Sequence, residues 1–132
     1  MNEINVIKIL KSDLNFSDSS IEKLKTFHDV LLDYNKSYNL ISRATESSIW
    51  FRHILDSAQI LKYLDYKKGI NIADFGSGAG FPGLILAIQS KNNIFHVKLY
   101  EKSAVKRDFL NEIKEKLDLQ NVEVKGDIYE SE

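Results

Sequence analysis

The chain has 132 residues with a net charge of −1, so it is long enough for one compact unit, and its charge gives no global footprint for nucleic acid. It contains no cysteine, which excludes disulfides and thiol chemistry, and its three histidines are too scattered to suggest a metal site, so we expect none. No apolar run approaches the roughly 20 residues of a membrane span and the first residues lack a secretory pattern, so we expect a cytoplasmic protein without membrane contact.

Helical periodicity dominates the first half of the chain. Residues 2–14 carry apolar side chains at helical spacing and predict a short first helix. Ser19 and Glu22 have the spacing of a capping box, which predicts that a second helix begins there and ends in the polar stretch 35–42. A third helix is predicted from about Thr45 to Leu64. We interpret residues 1–68 as an N-terminal helical subdomain.

The predicted third helix carries a compact group of polar residues. Arg52 and Asp56 are four residues apart, and His53 lies three before Asp56, so the three side chains can share one helix surface. This pattern is compatible with a functional cluster, and equally with a surface salt bridge beside a packed histidine. Ser57 is not a candidate nucleophile, because a regular helix offers no strained turn or oxyanion hole.

Residues 70–83 combine an apolar run, an acid, three alternating glycines and a proline, which predicts a strand, a tight turn and a helix start. The acid is Asp74, and the glycines are Gly76, Gly78 and Gly80. Glycines permit positive φ, and we expect this turn to leave backbone amides bare for a nucleotide-like ligand. Phe81 stands where a dinucleotide-binding fold has its third glycine. The alternative is an ordinary strand-to-helix turn.

Strands and helices alternate after the glycine turn. Residues 94–100 predict a second strand, 103–117 an amphipathic helix and 121–125 a third strand. Such crossovers are right-handed, which gives parallel strands in spatial order 3-2-1 with a ligand at their carboxyl ends. Glu101 ends the second strand, where these folds place an acid that binds a ribose, although a helix cap is the alternative. Residues 69–132 are therefore predicted to be a partial Rossmann-like domain in an α/β chain.

Four segments together resemble the GidB family of bacterial methyltransferases, which modify N7 of a guanine in 16S ribosomal RNA. They are residues 34–40 (YNKSYNL), 52–57 (RHILDS), 74–83 (DFGSGAGFPG) and the strand–helix–strand unit that ends at 121–122. The RHILDS segment followed about 20 residues later by the glycine turn is specific. The resemblance implies a class I methyltransferase fold, S-adenosylmethionine (SAM) as cofactor, and the small ribosomal subunit as partner.

The resemblance also implies roles for individual residues. The implied cofactor contacts are Asp74, Gly76, Gly78, Gly80 and Phe81, with Glu101 beside the ribose and Ile128 and Tyr129 beside the adenine. The candidates for orienting the base or closing the pocket are His53, Asp56 and Asn39. Family members usually show an arginine, a small apolar residue and a glutamate after the third strand, so this chain departs from the pattern at 127–129.

Family members also continue with further strands, one of which lies beside the first. We therefore expect a truncated chain whose first strand has an unpartnered edge, and which binds SAM weakly or self-associates through that edge. The predicted function is SAM-dependent methylation of guanine N7 in 16S rRNA. The alternative is a catalytically inactive remnant, or a SAM-binding or assembly module.

Overall fold

The computed structural model describes residues 1–65, 69–90 and 94–126. The regular helices are α1 (Glu3–Asp13), α2 (Asp18–Asn35), the single turn α3 (Asp56–Ala58), α4 (Gly83–Gln89) and α5 (Ala104–Lys116). The strands are β1 (Ile70–Phe75), β2 (Phe95–Tyr100) and β3 (Val122–Lys125). In the described residues no helix is both long and apolar enough to cross a membrane.

Helix α2 begins two residues earlier than the capping-box pattern predicts. Ser17 has an extended backbone, and its Oγ accepts a hydrogen bond from the backbone N–H of Ser20 at 3.0 Å. The Ser20 hydroxyl in turn donates to the carbonyl oxygen of Ile88 at 3.0 Å, which attaches α2 to α4. The prediction that Ser19 caps this helix is therefore wrong, because Ser17 supplies the side-chain acceptor that the first turn needs.

The predicted continuous helix from Thr45 to Leu64 is wrong. The chain there forms a segmented region made of a 3₁₀ helix (Arg43–Ser48), a π-helical turn (Trp50–Leu55), α3 and a second 3₁₀ helix (Gln59–Tyr63). Hydroxyl groups compete for the backbone in its first part: Thr45 Oγ1 donates to the carbonyl of Ser42 at 3.0 Å. Within the described residues Arg52 and Asp56 form no ion pair, so the expected salt bridge is absent.

The three strands form one parallel sheet in the order β1-β2-β3, which confirms the predicted α/β class and the predicted strand neighbours. Helices α4 and α5 pack against this sheet, and buried side chains of the sheet and of the N-terminal helices form one core cluster. No described helix covers the opposite face of the sheet. Phe75 there is 63% exposed, and a hollow of about 570 Å³ lies over the middle of the strands.

Buried side-chain amides join the elements around α4. Gln89 Nε2 donates to the carbonyl of Leu14 at 3.1 Å, and Asn121 Nδ2 donates to the carbonyl of Phe95 at 2.8 Å. Satisfied polar contacts of this kind fix one arrangement of packed elements. These bonds hold the end of α4 next to the end of α1, and the start of β2 next to the residue before β3. The division at residue 68 into two subdomains stays a prediction.

Candidate functional site

The glycine turn has the backbone that its sequence predicts. Gly76, Gly78 and Gly80 all have positive φ, at 71°, 53° and 93°. A Cβ atom on Gly76 would meet no atom within 4 Å, whereas one on Gly80 would collide with the side chain of Leu84. Gly80 is therefore needed for packing. Gly76 instead lies beneath open space at the carboxyl end of β1, where a ligand of this fold would approach the backbone.

The backbone amides of the turn are mostly occupied. The N–H groups of Gly76 and Ser77 both donate to the carbonyl of Tyr100, at 2.8 and 3.1 Å. The Gly80 N–H donates to the carbonyl of Ser77 at 2.7 Å, and the Gly78 N–H donates to Glu101 Oε1 at 2.7 Å. The expectation that bare amides await a ligand is thus wrong for these four groups. The turn presents open volume, together with the N–H groups of Ala79 and Phe81, which have no acceptor among the described residues.

Glu101 connects the end of β2 to the glycine turn. The residue is 8% exposed, and its two carboxylate oxygens accept from different backbone amides: Oε1 from Gly78, and Oε2 from Ser103 at 2.9 Å. Arg107 Nη1 also donates to the Glu101 carbonyl at 2.9 Å. A carboxylate oxygen has a second lone pair, so Glu101 retains acceptor capacity toward a hydroxyl group. Both the helix-cap interpretation and the placement beside the turn are compatible with this geometry.

Asp74 holds the start of α4. Its Oδ2 accepts a hydrogen bond from the Gly83 N–H at 3.0 Å, and the Ser77 hydroxyl donates to its backbone carbonyl at 2.9 Å. Burial raises the pKa of the Asp74 carboxyl, and the bond from Gly83 opposes the rise. A Cβ on Gly83 would lie 2.9 Å from Asp74 Oδ2, so the contact requires glycine there. Asp74 is next to the turn but is already engaged within the chain.

His53 and Phe81 bring the two sequence motifs together. Their rings stack with centroids 4.9 Å apart and planes 19° apart. Phe27 contacts Phe81 edge-on, with centroids 5.5 Å apart. His53 Nε2 lies 2.9 Å from Thr45 Oγ1. Burial lowers the pKa of His53, and the charge of Arg52 lowers it further while that of Asp56 opposes the shift. A largely neutral imidazole therefore borders the glycine turn.

The other predicted site residues make no hydrogen bond or ring contact with the His53–Phe81 pair, or lie outside the described residues. Asp56 and Asn39 are exposed, and neither side chain makes a hydrogen bond within the described part of the chain. Ile128 and Tyr129 lie outside the described residues. The described residues contain no cluster of three or more acidic or histidine side chains suited to a metal ion.

Two important residues were missed at the sequence level. Asn35 is 1% exposed, and its Oδ1 accepts from the amides of Leu40 and Ile41 at 2.9 and 3.0 Å. Its Nδ2 donates to Glu46 at 2.8 Å, so it fixes the turn that follows α2. Thr45 is the contact of His53. The signals for Asn35 were its position where the helical period ends and its place in the segment 34–40; Thr45 gave none, because its contact depends on the irregular segment.

Comparison with known proteins identifies the family of this chain. Residues 20–131 match the sequence profile of GidB, described as rRNA small subunit methyltransferase G. The chain belongs to the GidB family. Relatives named ribosomal RNA small subunit methyltransferase G include one from Orientia tsutsugamushi, which is 36% identical over 93% of this chain and 65% of its own length.

Two further relatives with this name show similar coverage. The Magnetococcus marinus protein is 44% identical over 80% of this chain and 46% of its own length. The Rickettsia akari protein is 40% identical over 84% of this chain and 56% of its own length. The chain thus spans less than two thirds of the length of these GidB relatives.

Proposed function

We propose that this chain forms the cofactor-binding part of an enzyme that transfers a methyl group from SAM to N7 of a guanine in 16S rRNA of the small ribosomal subunit. The observation that carries the proposal is the open volume over Gly76, at the carboxyl end of β1, beside the Glu101 carboxylate. A nucleoside needs a close approach to backbone and an acceptor for its hydroxyls, and these two residues offer both.

The proposed role of each residue follows from the open space or the hydrogen-bonding capacity that it still has. SAM would supply a methyl group already activated on a sulfonium. Gly76 would give the cofactor access to the backbone, and the second lone pairs of Glu101 would accept from ribose hydroxyls. Asp74 would contribute mainly by fixing the turn. Ile128 and Tyr129, which lie outside the described residues, would contact the adenine.

Guanine N7 already has a lone pair, so methylation there requires no base to remove a proton from it. The contribution of this chain is then to position the acceptor. The His53–Phe81 stack is a flat aromatic wall next to the glycine turn, and such surfaces orient nucleobases by stacking and by excluding water. Asp56 and Asn39 remain candidates for contacts with the RNA around the base, since both are exposed.

A second candidate function is a SAM-binding module without transfer activity. The open face of the sheet favours it, because Phe75 is 63% exposed and β1 has no strand partner on its outer edge within the described residues. A parallel sheet is normally covered on both faces. A chain with an uncovered face can hold a ligand without completing an RNA site.

Isothermal titration with SAM tests the binding step. Gly76→Ala puts a methyl group into the open volume and should weaken binding at least about tenfold, which corresponds to about 1.4 kcal/mol. Gly69→Ala controls for the added methyl group alone, since a Cβ there would make only an ordinary contact at 3.9 Å with Ile94, whereas alanine at Gly76 is also strained by its φ of 71°. Equal SAM affinity of the two variants would overturn the proposed cofactor position.

Transfer of labelled methyl groups to small ribosomal subunits that lack the N7 modification separates the two functions. Incorporation into 16S rRNA supports the enzyme. SAM binding without incorporation supports the module. The control is the Gly76→Ala variant, which should lose incorporation and binding together.

A further inference from the structure

The hydrogen bonds around Thr45 determine where the His53 proton lies. The Thr45 hydroxyl has three neighbours: His53 Nε2 at 2.9 Å, the Ser42 carbonyl oxygen at 3.0 Å and Ser42 Oγ at 3.1 Å. A threonine hydroxyl donates one hydrogen and accepts through its lone pairs. The carbonyl oxygen can only accept, so the Thr45 hydrogen is directed to Ser42.

Thr45 Oγ1 must then act as the acceptor toward His53. If Thr45 instead donated to Nε2, its oxygen would face the Ser42 carbonyl at 3.0 Å with lone pairs opposed. The Ser42 carbonyl also accepts from the Thr45 N–H at 3.1 Å, and a proton on Nε2 avoids the opposed lone pairs by letting the Thr45 hydroxyl donate to the same oxygen. A neutral imidazole with a proton on Nε2 carries an unprotonated Nδ1, which is a hydrogen-bond acceptor.

Nδ1 of His53 is available to a ligand. It has no hydrogen-bond partner in the described ranges, where the one buried side-chain polar atom without a partner is Trp50 Nε1. Nδ1 is therefore not sealed from solvent. The ring that carries it stacks on Phe81 at the border of the glycine turn.

We propose that Thr45 is a positioning residue that holds His53 as the Nε2–H tautomer, so that Nδ1 is presented beside the glycine turn as an acceptor for an N–H donor of the substrate base. The complementary group is a ring N–H or an exocyclic amine, both of which guanine carries. The assignment of the base rests on the proposed function. The tautomer rests on the contacts of Thr45 and on the burial of the ring, which favours the neutral imidazole.

A long-range proton–nitrogen correlation spectrum of the imidazole rings of the full chain tests the tautomer. We expect a protonated Nε2 and an unprotonated Nδ1 for His53, with a slowly exchanging Nε2 proton. His96, exposed on the open face of the sheet, serves as the internal reference for a freely exchanging ring. A proton on Nδ1 of His53 overturns the proposal.

Two variants distinguish positioning from packing. Thr45→Ser keeps the hydroxyl and should keep both the tautomer and the slow proton. Thr45→Val keeps the shape and should lose the slow exchange and mix the two tautomers. If Thr45→Val retains the wild-type spectrum, Thr45 does not position His53.

Addition of guanosine monophosphate tests the donor assignment. The Nδ1 resonance should shift with this nucleotide and not with purine riboside monophosphate, which lacks the ring N–H and the amine. An Nε2–H tautomer whose Nδ1 responds to neither nucleotide overturns the guanine assignment while the role of Thr45 stands. Failure of SAM binding in the titration above would instead affect only the proposed cofactor site.

Discussion

Oε1 of Glu101 accepts a hydrogen bond from the Gly78 N–H at 2.7 Å, which fixes the glycine turn after β1 to the end of β2. The other carboxylate oxygen accepts from Ser103 at the start of α5. One buried side chain thus joins a turn, a strand end and a helix start. The shape of the proposed cofactor site depends on this carboxylate before any ligand arrives.

Glu101→Gln should destabilise the fold, because its amide nitrogen would face a backbone N–H where the carboxylate now accepts. We expect the free energy of unfolding to fall by about 1–3 kcal/mol, the cost of leaving a buried donor without an acceptor. Urea denaturation at neutral pH measures it. Glu123→Gln, on an exposed side chain of β3, is the control and should change stability by less than about 0.5 kcal/mol. Equal midpoints for the two variants would contradict the role of Glu101.

Phe81→Ala should remove both the stack on His53 and the edge contact with Phe27. For a completely buried phenylalanine the free energy of unfolding would fall by about 3–5 kcal/mol. Phe81 is only partly buried, so we expect a fall of about 2 kcal/mol. The variant also exposes the imidazole, so the pKa of His53 should rise toward its ordinary value of 6.5. Denaturation and titration of the His53 ring signals by NMR measure the two effects.

Phe75→Ala is the comparison for Phe81→Ala, since Phe75 is 63% exposed and stacks on Tyr100 at the open face. Phe75→Ala should lower the free energy of unfolding by less than about 1 kcal/mol and leave the pKa of His53 unchanged. A His53 pKa that stays low in Phe81→Ala would mean that other neighbours bury the ring.

The parts of this fold that the sequence predicted correctly are those set by local periodicity. An apolar run predicted β1, alternating apolar residues predicted β2, and the glycine spacing predicted a turn whose three glycines all have positive φ. The neighbour relation of the strands followed from crossover handedness. These features depend on residues close in sequence.

What the sequence did not predict depends on contacts between distant residues. Ser20 matches a helix start but donates to Ile88, 68 positions away, while Ser17 caps α2. Glu101 was predicted to bind a ribose or to cap a helix, but its bond to the Gly78 amide, 23 positions away, was not predicted. The proximity of His53 and Phe81 was not predictable from spacing, because it requires the segmented helical region to pack on the glycine turn.

Asp74→Asn should make the stability of the chain less dependent on pH. Burial raises the pKa of Asp74 above 3.8, so the ionised carboxylate is disfavoured in the folded state relative to the unfolded chain. This penalty is fully present above the raised pKa and declines as the pH falls through it toward 3.8. The stability of the variant minus that of the wild type should therefore be largest at neutral pH and shrink on acidification.

Denaturant titrations of the Asp74 variants between about pH 7 and about pH 4 measure this difference. Asp74→Asn retains an oxygen acceptor for Gly83, whereas Asp74→Ala loses it and should cost about 1–3 kcal/mol through the unpaired amide. A stability difference for Asp74→Asn that grows as the pH falls would contradict the sign argued here.

The outer edge of β1 should support self-association. The N–H groups of Ile70 and Gly76 point toward β2 and donate to Ile94 and Tyr100, so the alternate N–H of Ala73 faces outward. This edge has no partner strand among residues 1–65, 69–90 and 94–126, and with the exposed Phe75 beside it, it is a template for a second strand. We expect light scattering to show a mass that rises with protein concentration.

Ala73→Pro removes the outward N–H without removing a bond to β2, and it should lower this association because proline cannot donate to a new strand. Ala73→Val is the matched control: it preserves the N–H, favours the strand and should associate at least as strongly as the wild type. Circular dichroism establishes that both variants keep the helical content of the parent chain. If both variants associate equally, the contact between copies uses the open face of the sheet rather than the edge of β1.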